Sequence, residues 1–316
     1  MSVTPVLEPL APLARALGRI RSTGAAGAAE DAETALGALV EVLRPVMGSS
    51  WPEVAWTSGR LTATGYPVEL AWASRDAAIR WTCEVAGPET PEADRLALAA
   101  RAAGVDVAPW EEVQRGRHLR YGAWLGERRS GGVRRSKVYL ELPAGRLAPG
   151  PWLGASGDLA HDVGDVTWRM TGVNDDGSVE LYARVADLSW DGLGAAARLV
   201  GDGGALQDLV GRLVHGPGRP RLGLSGPSGL SLVLSPSGAP AALTWFTIAK
   251  WVWPDDAAVS AAVLRSLGSV DAPAASCDLY RALSTGPDDG RWRHGMVGVG
   301  VDLAGGRWLQ AGLRPT

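Results

Sequence analysis

Apolar and polar residues alternate with period two through residues 135–143. Lys137, Tyr139 and Glu141 fall on one face, and Val138, Leu140 and Leu142 on the other. That alternation predicts a strand with one apolar and one polar face. Residues 178–183 are built the same way, with Ser178, Glu180 and Tyr182 set against Val179, Leu181 and Ala183. Residues 65–72 place Glu69 between apolar neighbours, and residues 78–85 put Arg80, Thr82 and Glu84 on one face. A single surface strand carries such a pattern too. Its repetition, with aromatic and ionic side chains on each polar face, points to a closed sheet with a polar lumen, wrapped outside by helices.

Helical periodicity appears elsewhere. Leu7, Leu10, Leu13, Leu17 and Ile20 recur at three- to four-residue spacing, and an apolar stripe resumes over 30–46, so 1–46 reads as a helical segment broken near Gly24–Gly27. Strands are expected over 54–57, 68–72 and 77–85, and a helix over 89–104, led by Pro91 and closed by Gly104. Residues 113–125 read as strand-like or irregular. Residues 128–135 read as a hairpin turn whose four arginines are either solvated or a lid over an anion. A loop with a short helix follows over 145–164. Residues 166–173 and 178–185 form a hairpin around Asn174-Asp-Asp-Gly177. Helices are expected over 190–199, 205–214 and 255–267, and hairpins over 219–224 with 230–235 and over 296–303 with 307–314. Residues 240–253 read as one strand carrying Trp245, Trp251 and Trp253. Helix followed by two strands, several times over, is an α+β order and not the alternation of a parallel sheet. The absence of a linker composition makes 1–316 one domain.

Composition narrows the function. The chain has 316 residues, 46% hydrophobic and 21% charged, with a formal net charge of −3. That balance argues against nucleic acid or a membrane surface as partner. No charged leader precedes an apolar run and no apolar run is long enough to span a membrane, so a cytoplasmic location is expected. Cys83 and Cys277 lie far apart and no Cys/His spacing suits a metal. His118, His161, His215 and His294 sit in no motif and read as structural. The Gly-rich run over 222–229 lacks the phosphate-loop pattern and reads as a hairpin. Gly298 and Gly300 share a face, where they either leave lumen space or ease curvature. The 14 Trp and 5 Tyr against 1 Phe have two readings: rings lining a pocket for a planar or cationic ligand, or core filling in place of Phe.

With these stretches in order, the chain resembles the aromatic prenyltransferases of the ABBA, or PT-barrel, fold, nearest to bacterial indole prenyltransferases of the dimethylallyltryptophan synthase type. Residues 67–72, 79–88, 137–140 and 179–182 carry the likeness, and the element order follows the family over most of the chain. The resemblance implies a cytoplasmic, metal-independent enzyme of secondary metabolism, monomer or homodimer. It would join an allylic diphosphate to an electron-rich aromatic acceptor, commonly an indole. It implies that Glu69 accepts the indole N–H, that Arg80, Lys137 and Tyr139 serve the diphosphate, and that Tyr182 shields the allylic cation. The chemistry needs fixed positive charge on the departing oxygens and π faces around the cation.

The chain departs from the family at several points. Glu180 and Ser178 stand where further cations are usual. Leu243 and Trp245 are nearest to a usual Gln and Tyr, and Trp308 and Gly312 to two tyrosines. Ala71 falls where the magnesium-dependent branch has its aspartate, so no metal or other cofactor is expected. Trp245 and Trp308 are candidate replacement shields. With Glu180 a second lumenal carboxylate beside Glu69, two alternatives follow: acid–base catalysis, such as a cyclase or isomerase, on an aromatic metabolite, or a non-catalytic aromatic-ligand binder.

Overall fold

The computed structural model describes residues 10–24, 27–44, 60–62, 65–146, 148–218, 224, 228–287 and 290–316. Ten strands close into one antiparallel barrel: β1 (Val68–Ala73), β2 (Ile79–Glu84), β3 (Ala123–Ser130), β4 (Val133–Glu141), β5 (Val166–Asn174), β6 (Val179–Val185), β7 (Ser228–Leu234), β8 (Pro240–Ile248), β9 (His294–Asp302) and β10 (Arg307–Leu313). Each strand pairs with its neighbours in sequence, and β10 closes on β1 through Leu70 opposite Leu313 and Trp72 opposite Ala311. Closure leaves no sheet edge to pair elsewhere.

Helices lie in the longer connections: α1 (Ala11–Arg21) and α2 (Ala28–Leu43) before β1; α3 (Arg95–Ala103) and α4 (Ala108–Gln114) between β2 and β3; α5 (Leu153–Val163) after β4; α6 (Trp190–Arg198) and α7 (Gly203–His215) after β6; and α8 (Ala249–Val252), α9 (Asp256–Ser266) and α10 (Ala274–Ser284) after β8. One end of the barrel therefore carries the short turns between strand pairs, and the other the helical connections.

The outer face of the sheet forms the main core. Leu70, Trp72, Trp81, Val138, Leu140, Leu181, Leu230, Trp245, Val299 and Leu309 are buried in one apolar cluster with residues of α1–α4, α6, α7, α9 and α10. Each fully buried leucine stabilises the fold by roughly 2 kcal/mol. α7 presents Ala205, Leu206, Leu209, Val210 and Leu213, a stripe at helical spacing, and Asp202 caps it by accepting from the Gly204 N–H. Several buried polar groups are paired across elements. Trp72 donates to Ser276 O at 2.8 Å, and Trp245 to Ser228 Oγ at 2.9 Å. His294 joins Asp256 at 2.6 Å to Tyr280 at 2.9 Å, a satisfied structural histidine.

The antiparallel barrel inside a helical shell is the expected architecture, with local corrections. Residues 113–125 are not strand-like throughout: Val113 and Gln114 are the last residues of α4, where Trp110 and Val113 pack inward on a helix begun by Ala108-Pro109. The arginines of 128–135 are strand residues, and only Gly131 and Gly132 form the turn, both at positive φ and held by Asp31 of α2. β8 ends at Ile248, and Trp251 and Trp253 lie beyond it. β7 pairs with β6 and β8, so its hairpin partner follows it through the 235–239 turn and does not precede it. α10 had no counterpart in the sequence reading. The strand at 54–57 and nearly all of 219–227 lie outside the described residues.

Glu141, on the polar face of β4, serves the backbone. Its Oε2 accepts the N–H groups of Arg120, Tyr121 and Gly122 at 2.8, 2.9 and 3.2 Å. Glu141→Ala leaves these three donors without an acceptor and should lower unfolding free energy by about 2–4 kcal/mol. Urea titration followed by Trp fluorescence checks this; a loss under half a kcal/mol would contradict the role.

Candidate functional site

Because side chains alternate along each strand, residues paired across neighbouring strands share a face. One lumenal rung runs Glu69, Thr82, Gly126, Lys137, Asn174 across β1–β5. The next rung towards the turns is Ala71, Arg80, Arg128, Arg135. A third runs Trp124, Tyr139, Gly172, Glu180, Val233, Ala242. A fourth runs Met170, Tyr182, Ser231, Thr244, Gly300, Trp308.

Large lumenal side chains fit because glycines face them. A Cβ at Gly126 would meet the Tyr139 ring at 2.7 Å, one at Gly172 the Lys137 chain at 2.9 Å, and one at Gly229 the Phe246 ring at 2.0 Å. At Gly312 it would meet Glu69 Oε1 at 2.6 Å, and at Gly300 the Trp308 ring at 2.2 Å. The space at Gly300 is thus filled by Trp308 and does not enlarge the lumen. Trp308 packs with Ala73 and Ala242 as a separate apolar cluster at the turn end.

The centre of the lumen is an ionic and aromatic cluster. Lys137 Nζ meets Glu180 Oε2 at 2.5 Å, and Ser231 Oγ donates to Glu180 Oε1 at 2.5 Å. Lys137 Nζ also lies 5.2 Å from the Tyr139 ring centroid, within cation–π range. Tyr139, Tyr182 and Phe246 follow as an aromatic wall, with centroids 6.0 and 6.3 Å apart. Burial raises the Glu180 carboxyl, but the Lys137 charge and bonds from Lys137, Ser231 and Tyr182 outweigh it, and the net shift is downward. Burial opposes the Lys137 charge, yet Glu180, with help from Tyr139, holds the ammonium above its ordinary range while Arg75 opposes. Both are charged at neutral pH.

Glu69 is different. It lies on the same lumenal surface against Gly312 and Gly295, and among the described residues it has no hydrogen-bond or ionic partner. Burial alone pushes its carboxyl up to about 7. At the turn end, Arg80 and Arg128 both bind Asp76 Oδ2, at 2.6 and 3.0 Å. Arg75 stacks over Trp308 at 4.6 Å.

Glu69, Arg80, Lys137, Tyr139, Glu180, Tyr182 and Trp308 thus share one surface. Trp245 does not. It lies on the outer face of β8, buried among Leu230 and Val299, and the lumenal residues of that strand are Thr244 and Phe246. A one-residue shift of register exchanges the two faces of a strand. Leu243, compared with a usual lumenal Gln, points outward with it. Sequence reasoning missed Phe246, the chain's one Phe, along with Ser231, Asp76, Arg75 and the facing Gly126, Gly172 and Gly229; alternation counted from Pro240 was the available signal for Phe246. The four arginines form no lid as a group. Arg129 and Arg134 clamp Glu127, and Arg135 faces Asp175 at 3.6 Å.

Among the described residues no three His, Cys, Asp or Glu side chains are grouped to hold a metal ion, and none has a helix long and apolar enough to cross a membrane. Cys83 and Cys277 are both free. An open groove of about 400 Å³ lies apart from the lumen, between α4 and residues 145–153.

No protein-family model and no curated protein matches the sequence. Solved structures do match the fold. The 5-dimethylallyltryptophan synthase from Streptomyces coelicolor superposes with TM-score 0.73 at 18% identity, covering 96% of this chain and 95% of that one. The 6-dimethylallyltryptophan synthase from Micromonospora olivasterospora, solved with DMASPP and Trp, gives 0.70 at 19%, covering 98% of each chain. AnaPT from Neosartorya fischeri gives 0.71 at 15%, covering 99% and 95%. At these identities the likeness shows the PT-barrel fold.

A carboxyl with higher proton affinity in the folded than in the unfolded chain favours folding at low pH. That advantage disappears as pH rises from the unfolded value through about 7. Glu69→Gln should therefore melt above wild type at pH 8, with the gap narrowing by pH 5. Calorimetric scans across that range check it, and a gap independent of pH would mean Glu69 is compensated in solution.

Proposed function

We propose that the protein transfers an allylic group from an allylic diphosphate to an electron-rich aromatic acceptor, without a metal. The observation that carries the reading is the lumen's content: an aromatic wall of Tyr139, Tyr182 and Phe246 on the same surface as Lys137, the turn-end arginines and the unpaired carboxylate Glu69. The solved structures of this fold that bear dimethylallyltryptophan synthase names, two of them with DMASPP and Trp bound, support that substrate pair and make an indole the first acceptor to test.

In this reading Arg80 and Lys137 hold the diphosphate oxygens. The allylic C–O bond breaks, and its electron pair leaves with the diphosphate, whose negative charge these cations stabilise. The allyl cation is met by the faces of Tyr139, Tyr182 and Phe246, which stabilise it without donating a lone pair. Glu69 accepts the acceptor's N–H, which raises ring electron density. A ring carbon forms the new C–C bond, and the ring proton then passes to the released diphosphate, which restores aromaticity. Trp308 closes the lumen below.

A second reading rests on the Lys137–Glu180 pair. Glu180 occupies a Lys137 position that a diphosphate would need, which favours acid–base work by Glu69 and Glu180 on an aromatic metabolite. Titration of dimethylallyl thiolodiphosphate by calorimetry, with prenylation of tryptophan and simple indoles followed by mass spectrometry, separates the two. Under prenyl transfer, Lys137→Ala should lower turnover by about a hundredfold, and Glu180→Gln, by freeing Lys137, should tighten donor binding by about tenfold. No donor binding in either wild type or Glu180→Gln would discard prenyl transfer.

The acceptor step carries its own pH signature. If Glu69 must be ionised to accept the N–H, turnover should rise through pH of about 7, and Glu69→Gln should lose both the rise and most of the rate. A Glu69→Gln enzyme retaining the wild-type profile would remove Glu69 from the mechanism.

A further inference from the structure

The turn end of the lumen carries more positive charge than its carboxylates neutralise. Arg80 and Arg128 are adjacent on one rung, one step beyond Lys137, and both bind the same oxygen of Asp76. One carboxylate cannot neutralise two guanidinium groups. The Nε–H of Arg128 is buried and has no acceptor. Arg75, next to Asp76 in the β1–β2 turn, is stacked on the lumenal Trp308 at 4.6 Å and, among the described residues, pairs with no carboxylate. Its charge reaches Lys137.

We propose that Arg75 and Arg128 are diphosphate ligands, completing with Arg80 and Lys137 a single anion site at the turn end of the lumen. The proposal rests on the reading of the lumen as a diphosphate site and adds two residues to it. Among the described residues only Asp76 and Glu180 pair with these four cations, so the cluster keeps excess positive charge suited to a polyanion. Guanidinium forks bind two oxygens of one phosphate at once, and Arg128 has a free donor for this. Arg75 is pre-positioned, since stacking on Trp308 restricts its side chain before any ligand arrives. The neighbouring arginines do not qualify: Arg129 and Arg134 are both committed to Glu127.

The test titrates dimethylallyl thiolodiphosphate and inorganic pyrophosphate into wild type, Arg75→Gln, Arg128→Gln and Arg134→Gln, with folding of each verified by circular dichroism. Arg75→Gln and Arg128→Gln should each weaken both anions by about tenfold, with Arg134→Gln unchanged. Arg128→Lys, which keeps the charge and loses the fork, should fall between wild type and Arg128→Gln. Wild-type affinity in both Gln variants would overturn the assignment of Arg75 and Arg128 while leaving the diphosphate site standing. Failure of wild type itself to bind either anion would overturn the site and this proposal together.

Discussion

Closure of the sheet is the constraint from which the site follows. Ten antiparallel strands joined in sequence order, with β10 paired to β1, leave every strand one face outward to the helices and one inward. The outward face takes Leu, Val and Trp, and buries them in the main core. The inward face must fill a volume too narrow for ten large side chains at one level. The chain solves this by setting glycine against ring or long chain across neighbouring strands: Gly126 with Tyr139, Gly172 with Lys137, Gly229 with Phe246, Gly300 with Trp308. These pairings fix the aromatic and ionic groups in place before any ligand enters.

Charge in such a lumen is governed by poor solvation. A buried ion is tolerated when paired and costly when alone. Lys137 and Glu180 satisfy each other, with Ser231 on the remaining carboxylate oxygen. Arg80 and Arg128 share Asp76. Glu69 has no such partner, and burial answers by raising its proton affinity to about 7. Among the described residues Glu69 is thus the uncompensated lumenal carboxylate, one that a ligand N–H would stabilise, and the arginine rung lies one step from it towards the turn end. A ligand that is anionic at one point and a hydrogen-bond donor at another is oriented by these two groups.

Much of this was legible in the sequence because strand alternation is a strong signal wherever one face is buried. The faces of β1, β2, β4 and β6 were read from Glu69, Arg80, Lys137, Tyr139, Glu180 and Tyr182, and the structure brings those side chains to one surface. β8 failed for a local reason. Matching Leu243 and Trp245 to a usual Gln and Tyr put Trp245 inside; in the strand, which ends at Ile248, those two face outward and the lumenal aromatic is Phe246. Contacts between distant segments were beyond a linear reading. Nothing in Arg75-Asp76 announces that Asp76 binds arginines from two strands or that Arg75 stacks on Trp308, 233 residues later. Four arginines near a Gly-Gly pair look like one loop, although their partners, Asp76, Glu127 and Asp175, divide them among different roles.

The placement of charge in this lumen also has a physical reading. An anion site needs a sum of positive charge within a few ångströms, and Coulomb attraction does not depend on which strand supplies it. Placing Glu180 on β6 removes charge from the middle of the barrel, since it neutralises Lys137. The turn end holds Arg75 and Arg128 beside Arg80, so positive charge lies nearer that end than the centre. An anion held there meets Lys137 only by competing with a carboxylate already in place. Glu180 therefore sets how deep a polyanion can sit beside the wall of Tyr139, Tyr182 and Phe246.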